Sequence, residues 1–263
     1  MPGERLLPLA NPFDLTGRRA FVTGANTGIG RAIAVGLADA GARVVAVGRS
    51  AMDDTLAEIA GRGGSAVGLR ADLGTVAGAT EAFARALAEH GEIDVLVNNA
   101  GIIRRSDALD FTEADWDEVM ELNLKVAFFL AQAFARHRLT RPEGETGGSA
   151  INIASLLSFQ GGIRVASYTA SKSGMTGLTK LLANEWAAHG ITVNAVAPGY
   201  VETNNTRALR EDPERRRAIL DRIPMGRWAQ PSDIAGAVTW LASPAARYVT
   251  GVTVPVDGGW LAR

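Results

Sequence analysis

Residues 18–30 read RRAFVTGANTGIG. A short apolar run, Ala20 to Val22, leads into a turn that carries Gly24, Gly28 and Gly30, and a helical pattern follows from about Gly30 to Ala40. A strand that passes through such a turn into a helix is the opening unit of a doubly wound α/β sheet. Gly24 allows the tight turn. Gly28 and Gly30 let the main chain approach a pyrophosphate at the helix N-terminus, where unfilled N–H groups and the helix dipole favour anions. Asn26, Thr27 and Ile29 complete this candidate cofactor loop.

Working outward, the same alternation recurs. Six further apolar runs are ARVVAVG (42–48), SAVGLRAD (65–72), IDVLVNNAG (93–101), SAINIAS (149–155), ITVNAVAPG (191–199) and VTVPVDGG (252–259). Helical patterns separate them near Asp53–Gly61, Thr75–His90, Glu113–Arg138 and Val165–His189, with two more before the last run. The runs lack a clean in/out alternation, which predicts strands buried on both faces of a parallel sheet. Right-handed crossovers then give a Rossmann-type doubly wound sheet of about seven strands with helices on both faces. No linker or repeat divides the chain, so residues 1–263 are expected to form one dinucleotide-binding domain. Residues 1–12 are expected to be loose. The Arg- and Glu-rich stretch 203–226 is expected to act as a substrate lid. Trp260 to Arg263 is read as either a subunit contact or a frayed end.

Composition narrows the function. The formal net charge of -1 gives no affinity for nucleic acid or for a membrane surface. There are no cysteines, which excludes disulfides and thiolate chemistry. The three histidines, His90, His137 and His189, each fall late in a predicted helix without a partner at ligand spacing, so no metal site is expected. The start, MPGERLLPLANPFDL, lacks a long apolar core and carries two acids, and no run approaches ~18 apolar residues. A cytoplasmic location is the expectation.

Chemistry enters with Tyr168 and Lys172 in SYTASKSG. They lie four apart in a predicted helix and share one face. A phenol alone titrates near ~10. A neighbouring ammonium favours the phenolate and is expected to lower that value, leaving a group able to exchange a proton with a carbonyl or alcohol oxygen. Ser155 adds a hydroxyl thirteen residues upstream. At the end of the second strand an acid would bind a ribose 2′-hydroxyl, whereas an arginine suits a 2′-phosphate. Here Gly48 holds the acid's place and Arg49 follows. Arg49 is read as a phosphate partner, as a stacking partner for adenine, or as a solvated charge. Asp72 is read as a partner for the adenine amine or as a helix cap.

Taken together these stretches resemble the short-chain dehydrogenase/reductase family. The motifs are TGANTGIG, Asp72 in ADL, NNAG at 98–101, Asn123 in ELNLKVAF, Ser155, the Tyr168/Lys172 pair and PGYVET at 198–203, in the family's order over nearly the whole chain. The resemblance implies a nicotinamide cofactor and a homotetramer. It implies that Tyr168 is the acid/base, that Lys172 holds the nicotinamide ribose and lowers the tyrosine's pKa, that Ser155 orients the substrate oxygen, and that Asn123 anchors a water on a proton relay. Leu73, Asn98, Ala100, Gly101, Pro198, Gly199, Val201 and Thr203 would line the cofactor. A narrower resemblance, strongest from Asn98 onward, is to members of the family that act on a keto-deoxy sugar acid of uronate catabolism. Those members favour NAD(H), while Arg49 and the missing acid at Gly48 leave NADP(H) open.

A sugar acid needs a cation for its carboxylate and hydrogen-bonding groups for its hydroxyls. Arg104 and Arg105 follow NNAG, and Arg164 lies between Ser155 and Tyr168. Arg105 or Arg164 is expected to pair with the carboxylate, and Gln160 and Asn205 to read hydroxyls. A 3-oxoacyl thioester reductase would instead want an apolar groove. A non-catalytic cofactor-sensing protein on the same scaffold often loses the Tyr or the Lys.

Overall fold

The computed structural model describes residues 11–142 and 147–263. Its centre is one sheet of seven parallel strands: β1 (Arg19–Thr23), β2 (Arg43–Gly48), β3 (Ser65–Arg70), β4 (Val95–Asn98), β5 (Gly148–Ile153), β6 (Ile191–Pro198) and β7 (Thr253–Val256). The spatial order is β3-β2-β1-β4-β5-β6-β7. The chain reverses direction of travel between β1 and β4, and the C-terminal ends of the strands open a crevice there.

Successive residues of each strand feed two cores. Val22, Val44 and Ala46 pack with α1 (Gly28–Asp39), α2 (Asp53–Gly61) and α9 (Pro231–Ala242), through Ile33, Leu37, Ile59, Ile234 and Val238. Their neighbours Phe21, Val45 and Val47 face the other way. They meet α3 (Val76–His90), α5 (Ala127–Leu139) and α6 (Ala166–Trp186), through Phe83, Phe134 and Leu182. Phe21 and Phe83 meet edge to face at 5.3 Å. Burial on both faces is why the middles of β1 and β2 are apolar at successive positions.

Two departures from the sequence reading have local causes. The helices expected over Glu113–Arg138 are α4 (Glu113–Met120) and α5, and they are joined without a break by an unexpected π-turn at Glu121–Val126. Such a turn admits one extra residue, and here it turns the buried Asn123 onto the main chain of Ile102. Before β7 there are three helices rather than two: α7 (Arg207–Glu211) and α8 (Pro213–Leu220) lie within the expected lid, and α9 follows. Pro213 at the start of α8 and the Asp212 cap divide the first two. Residues 1–10 of the segment expected to be loose lie outside the described residues. Pro12 is anchored, its carbonyl accepting from Ala245 N at 2.9 Å.

A polar seam crosses the second core. Asn98 Nδ2 donates to Ala127 O at 3.1 Å and to Asn152 Oδ1 at 3.0 Å. Asn152 Nδ2 donates to Thr179 Oγ1 at 3.0 Å, and Thr179 donates to Met175 O. All three side chains are buried. They fasten β4 and β5 to α5 and α6, the elements that carry the candidate site. Asn152→Ala strands one group on each neighbour and should cost about 1–3 kcal/mol in a urea melt. A loss within ~0.3 kcal/mol of zero would show that the seam does not hold the layers together.

Candidate active site

A cleft of about 580 Å³ opens over the C-terminal ends of β1, β4, β5 and β6. The 24–30 loop forms one wall and residues 198–206 another, with Asn99, Ala100, Gly101, Ser155, Tyr168 and Lys172 between them. Gly24 has φ +66, the left-handed region that the turn requires. A Cβ at Gly30 would strike the Gly24 carbonyl, so the helix starts hard against the turn. A Cβ at Gly28 would stand 3.5 Å from Thr203 Cγ2, so these two walls face each other across a narrow slot. Thr27 caps α1 without a side-chain bond, and its first turn carries no acid. The leading amides of that helix are therefore left to a ligand, and an anion such as a pyrophosphate fits them.

β5 and α6 supply the reactive groups. β5 ends at Ile153, Ser155 follows in extended backbone, and α6 brings Tyr168 and Lys172 round on one face. The Ser155 hydroxyl accepts from Leu157 N at 3.2 Å and lies near enough to the Tyr168 phenol to favour its phenolate. Lys172 is buried, its Nζ donates to Ile153 O at 2.6 Å, and it stands 5.6 Å from the centre of the Tyr168 ring. Burial pushes the Tyr168 phenol above its ordinary value, while the Ser155 hydroxyl and the charge of Arg105 pull the other way. Burial also pushes Lys172 down, to about 8. The expectation of a lowered phenol is thus corrected: desolvation outweighs the favourable charges around it, and the net shift is upward. Tyr168 keeps partial exposure to the cleft, yet the protein packed around its hydroxyl is dense enough for that penalty to dominate.

The candidate cofactor residues divide. Gly24, Asn26, Thr27, Gly28, Ile29, Gly30, Ala100, Gly101, Pro198, Gly199, Val201 and Thr203 line the cleft. Asn98, Leu73, Asp72 and Arg49 do not. Asn98 is spent on the buried seam, and the neighbouring Asn99, which the sequence reading passed over, is the one at the wall. Its Nδ2 holds Thr23 O at 2.9 Å, and its N–H binds Thr23 Oγ1 at 2.9 Å. Leu73 is buried in the second core. Asp72 accepts from Gly74 N at 2.9 Å, and α3 is capped by Thr75. Arg49 is exposed, and beside it Asn26 Nδ2 donates to Ser50 Oγ at 2.7 Å. Asn123 has its amide on the Ile102 main chain, with both bonds at 2.9 Å, so its side chain positions the loop after β4.

The arginines separate sharply. Arg104 is bound to Glu118 and Asp115. Arg164, at φ +63, pairs with Asp107 at 3.2 Å, and its carbonyl accepts from Ser106 N at 3.1 Å. Arg105 has no carboxylate partner among the described residues and donates from Nη2 to Asn205 O at 2.9 Å. It bridges the loop after β4 to the segment that begins the expected lid, and Asn205 lines the cleft. Gln160 is not at the cleft wall. Its Oε1 accepts from Trp260 Nε1 at 3.1 Å.

Comparison with known proteins identifies the family. A family model described as enoyl-(acyl carrier protein) reductase, of the short-chain dehydrogenase type, matches residues 24–261. The 2-dehydro-3-deoxy-D-gluconate 5-dehydrogenase of Escherichia coli (strain K12) is 54% identical over 97% of this chain and 100% of its own. The enzyme of the same name from Bacillus subtilis (strain 168) is 48% identical over 97% and 99%. A crystal structure of a putative 2-deoxy-D-gluconate 3-dehydrogenase from Agrobacterium tumefaciens with bound NADP superposes with a TM-score of 0.91. It is 60% identical and covers 96% of this chain and 100% of its own. The chain belongs to the short-chain dehydrogenase/reductase family. It is an oxidoreductase acting on CH–OH groups with a nicotinamide cofactor.

Lys172 makes the site pH-sensitive. Its folded pKa of about 8 lies below the ordinary lysine value, so between these two the unfolded chain binds more protons than the folded one. Stability should therefore rise with pH across that window, by about 2 kcal/mol between pH 8 and 10 relative to Lys172→Met. Parallel urea-melt curves for the two proteins over that range would contradict the buried cation.

Proposed function

We propose that this chain interconverts the secondary alcohol and the ketone of a small keto-deoxy sugar acid, 2-dehydro-3-deoxy-D-gluconate or a close analogue. The observation that carries the reading is Arg105, a cation without an acid partner among the described residues, held on the carbonyl of the cleft-lining Asn205 and near enough to the Tyr168 phenol for its charge to favour the phenolate. The names of the 54% and 48% identical relatives support the same substrate class. In this reading the protein serves uronate catabolism in the cytoplasm as a homotetramer of single-domain subunits, with residues 203–226 as the lid.

A bound nicotinamide cofactor supplies or accepts the hydride. The 24–30 loop would hold its pyrophosphate at the first turn of α1, residues 198–203 would hold its nicotinamide end, and Lys172 would steady the ribose. The wall near Gly48, Arg49 and Ser50 admits either NAD(H) or NADP(H), since no acid occupies position 48. Arg105 takes the substrate carboxylate, and Asn205 contributes a hydroxyl contact. Ser155 and Tyr168 then meet the reacting oxygen. Because burial keeps the phenol protonated at neutral pH, Tyr168 donates its proton to the oxygen during reduction. In the reverse direction Tyr168 must first lose that proton, which higher pH favours. A 3-oxoacyl thioester is disfavoured as substrate by the cation at the mouth of the cleft.

Tyr168→Phe should reduce turnover about 10²–10⁴-fold while cofactor affinity, read by fluorescence titration, stays within about twofold. Near-normal turnover in that variant would remove Tyr168 from the chemistry. Arg105→Met should raise KM for the keto acid roughly tenfold or more, with little change in cofactor affinity. Arg164→Met should leave KM near the wild-type value, because Arg164 is already paired with Asp107. The opposite ranking would move the carboxylate site to Arg164.

A further inference from the structure

The last seven residues fold back onto their own chain. Asp257 accepts from Gly259 N and Leu261 N, both at 2.9 Å, and so closes a turn that presents Trp260 inward. Trp260 is only 4% exposed and packs with Leu156, Ile219, Ile223 and Trp228, its ring 4.8 Å from that of Tyr200. The Arg222 guanidinium lies 4.0 Å above the Trp260 ring, and Met225 N donates to Gly258 O at 3.1 Å. Both contacts grip the root of the 203–226 segment. On its other side the indole N–H donates to Gln160 Oε1. Gln160 sits in the 156–164 loop, between Ser155 and Tyr168.

We propose that Trp260 is a positioning residue. Its hydrogen bond to Gln160, with its stacking on Arg222, fixes the loop after Ser155 to the root of the lid. Gln160 then acts through Trp260 and not as a reader of substrate hydroxyls. The inference rests on the proposed substrate class only for its kinetic readout. The physical argument is one of satisfaction. The indole N–H of a buried tryptophan needs an acceptor, and in this protein that acceptor is Gln160. The loop itself is fastened at its start by short-range bonds, Ser158 N and Phe159 N each donating to the residue three earlier. Past Gln160 come Gly161, Gly162 and the exposed Ile163, which offer it little packing of their own. The flanks of the loop are anchored elsewhere, by Ser158 Oγ donating to Lys172 O at 2.6 Å and by Ser106 N donating to Arg164 O at 3.1 Å, so the bond to the tail fixes the middle of the loop, at Gln160.

A double-mutant cycle tests this. Trp260→Phe keeps the ring and removes the N–H. Gln160→Leu removes the acceptor on a loop whose loss cannot unfold the sheet. Gln160→Glu keeps an acceptor oxygen. The strut predicts that Trp260→Phe and Gln160→Leu each raise KM for the keto acid roughly fivefold at nearly constant kcat. It predicts that the double variant is no worse than either single, and that Gln160→Glu stays closer to wild type than Gln160→Leu. If Gln160 reads the substrate directly, Trp260→Phe stays near wild type, Gln160→Leu does not, and the proposal is overturned. Hydrogen exchange with no substrate present is the second arm. Amides 158–162 should exchange faster in Trp260→Phe and Gln160→Leu, and unchanged protection overturns the strut whatever the substrate proves to be. A wild-type enzyme inert toward keto-deoxy acids, but with this exchange pattern, would overturn the substrate reading and leave the strut standing.

Discussion

The site depends on a buried cation that has a carbonyl for a partner. Lys172 lies at the sheet end of α6, out of water, with its ammonium on the main-chain oxygen of Ile153 at 2.6 Å. A charge in that position is costly, and the lowering of its pKa to about 8 registers the cost. The same bond fixes the depth and rotation of α6 against β5. Tyr168, one turn earlier on the same face, is thereby set beside Ser155 at the strand's end. Geometry and electrostatics are coupled here: the contact that places the phenol also dries it.

Much of the fold was legible because strand residues on both faces are apolar. Phe21 and Val22 are neighbours in sequence and belong to opposite cores, so the pattern of β1 has no period, and that absence marked a covered parallel strand. The π-turn at Glu121–Val126 was not legible. ELNLKV has good helical propensity, and the extra residue is admitted by a tertiary demand, the two bonds between Asn123 and Ile102. The break between α7 and α8 left a plainer signal in Asp212-Pro213, a cap followed by a first-turn proline.

At the site, sequence spacing found the groups and could not say which of several similar groups is free. NNAG contains two asparagines, and strand alternation sends Asn98 into the core and leaves Asn99 at the wall. Arg104, Arg105 and Arg164 look equivalent as letters. Glu118 and Asp107 lie fourteen and fifty-seven residues away from the arginines they neutralise, so only the folded chain separates them. Proximity to Tyr168 in sequence suggests Gln160 as a substrate contact, yet its partner is a hundred residues on, at Trp260.

Burial shifts the two titrating groups of α6 in opposite directions and reverses their order. In water a lysine holds its proton slightly longer than a tyrosine, at about 10.4 against about 10. In the fold the phenol moves up and the ammonium moves down. A phenolate beside an ammonium is therefore not the resting state of this site, because desolvation favours the neutral form of each group. The cleft offers two places for negative charge. The amide-rich start of α1 suits a pyrophosphate, and the Arg105 guanidinium suits a carboxylate. Arg105 also favours the phenolate, so a carboxylate that pairs with it weakens that pull and holds the proton on Tyr168. In the proposed reading, a ketone whose carboxylate pairs with Arg105 would keep protonated the phenol that its reduction needs, which would link the choice of a charged substrate to the protonation state of the residue that acts on it.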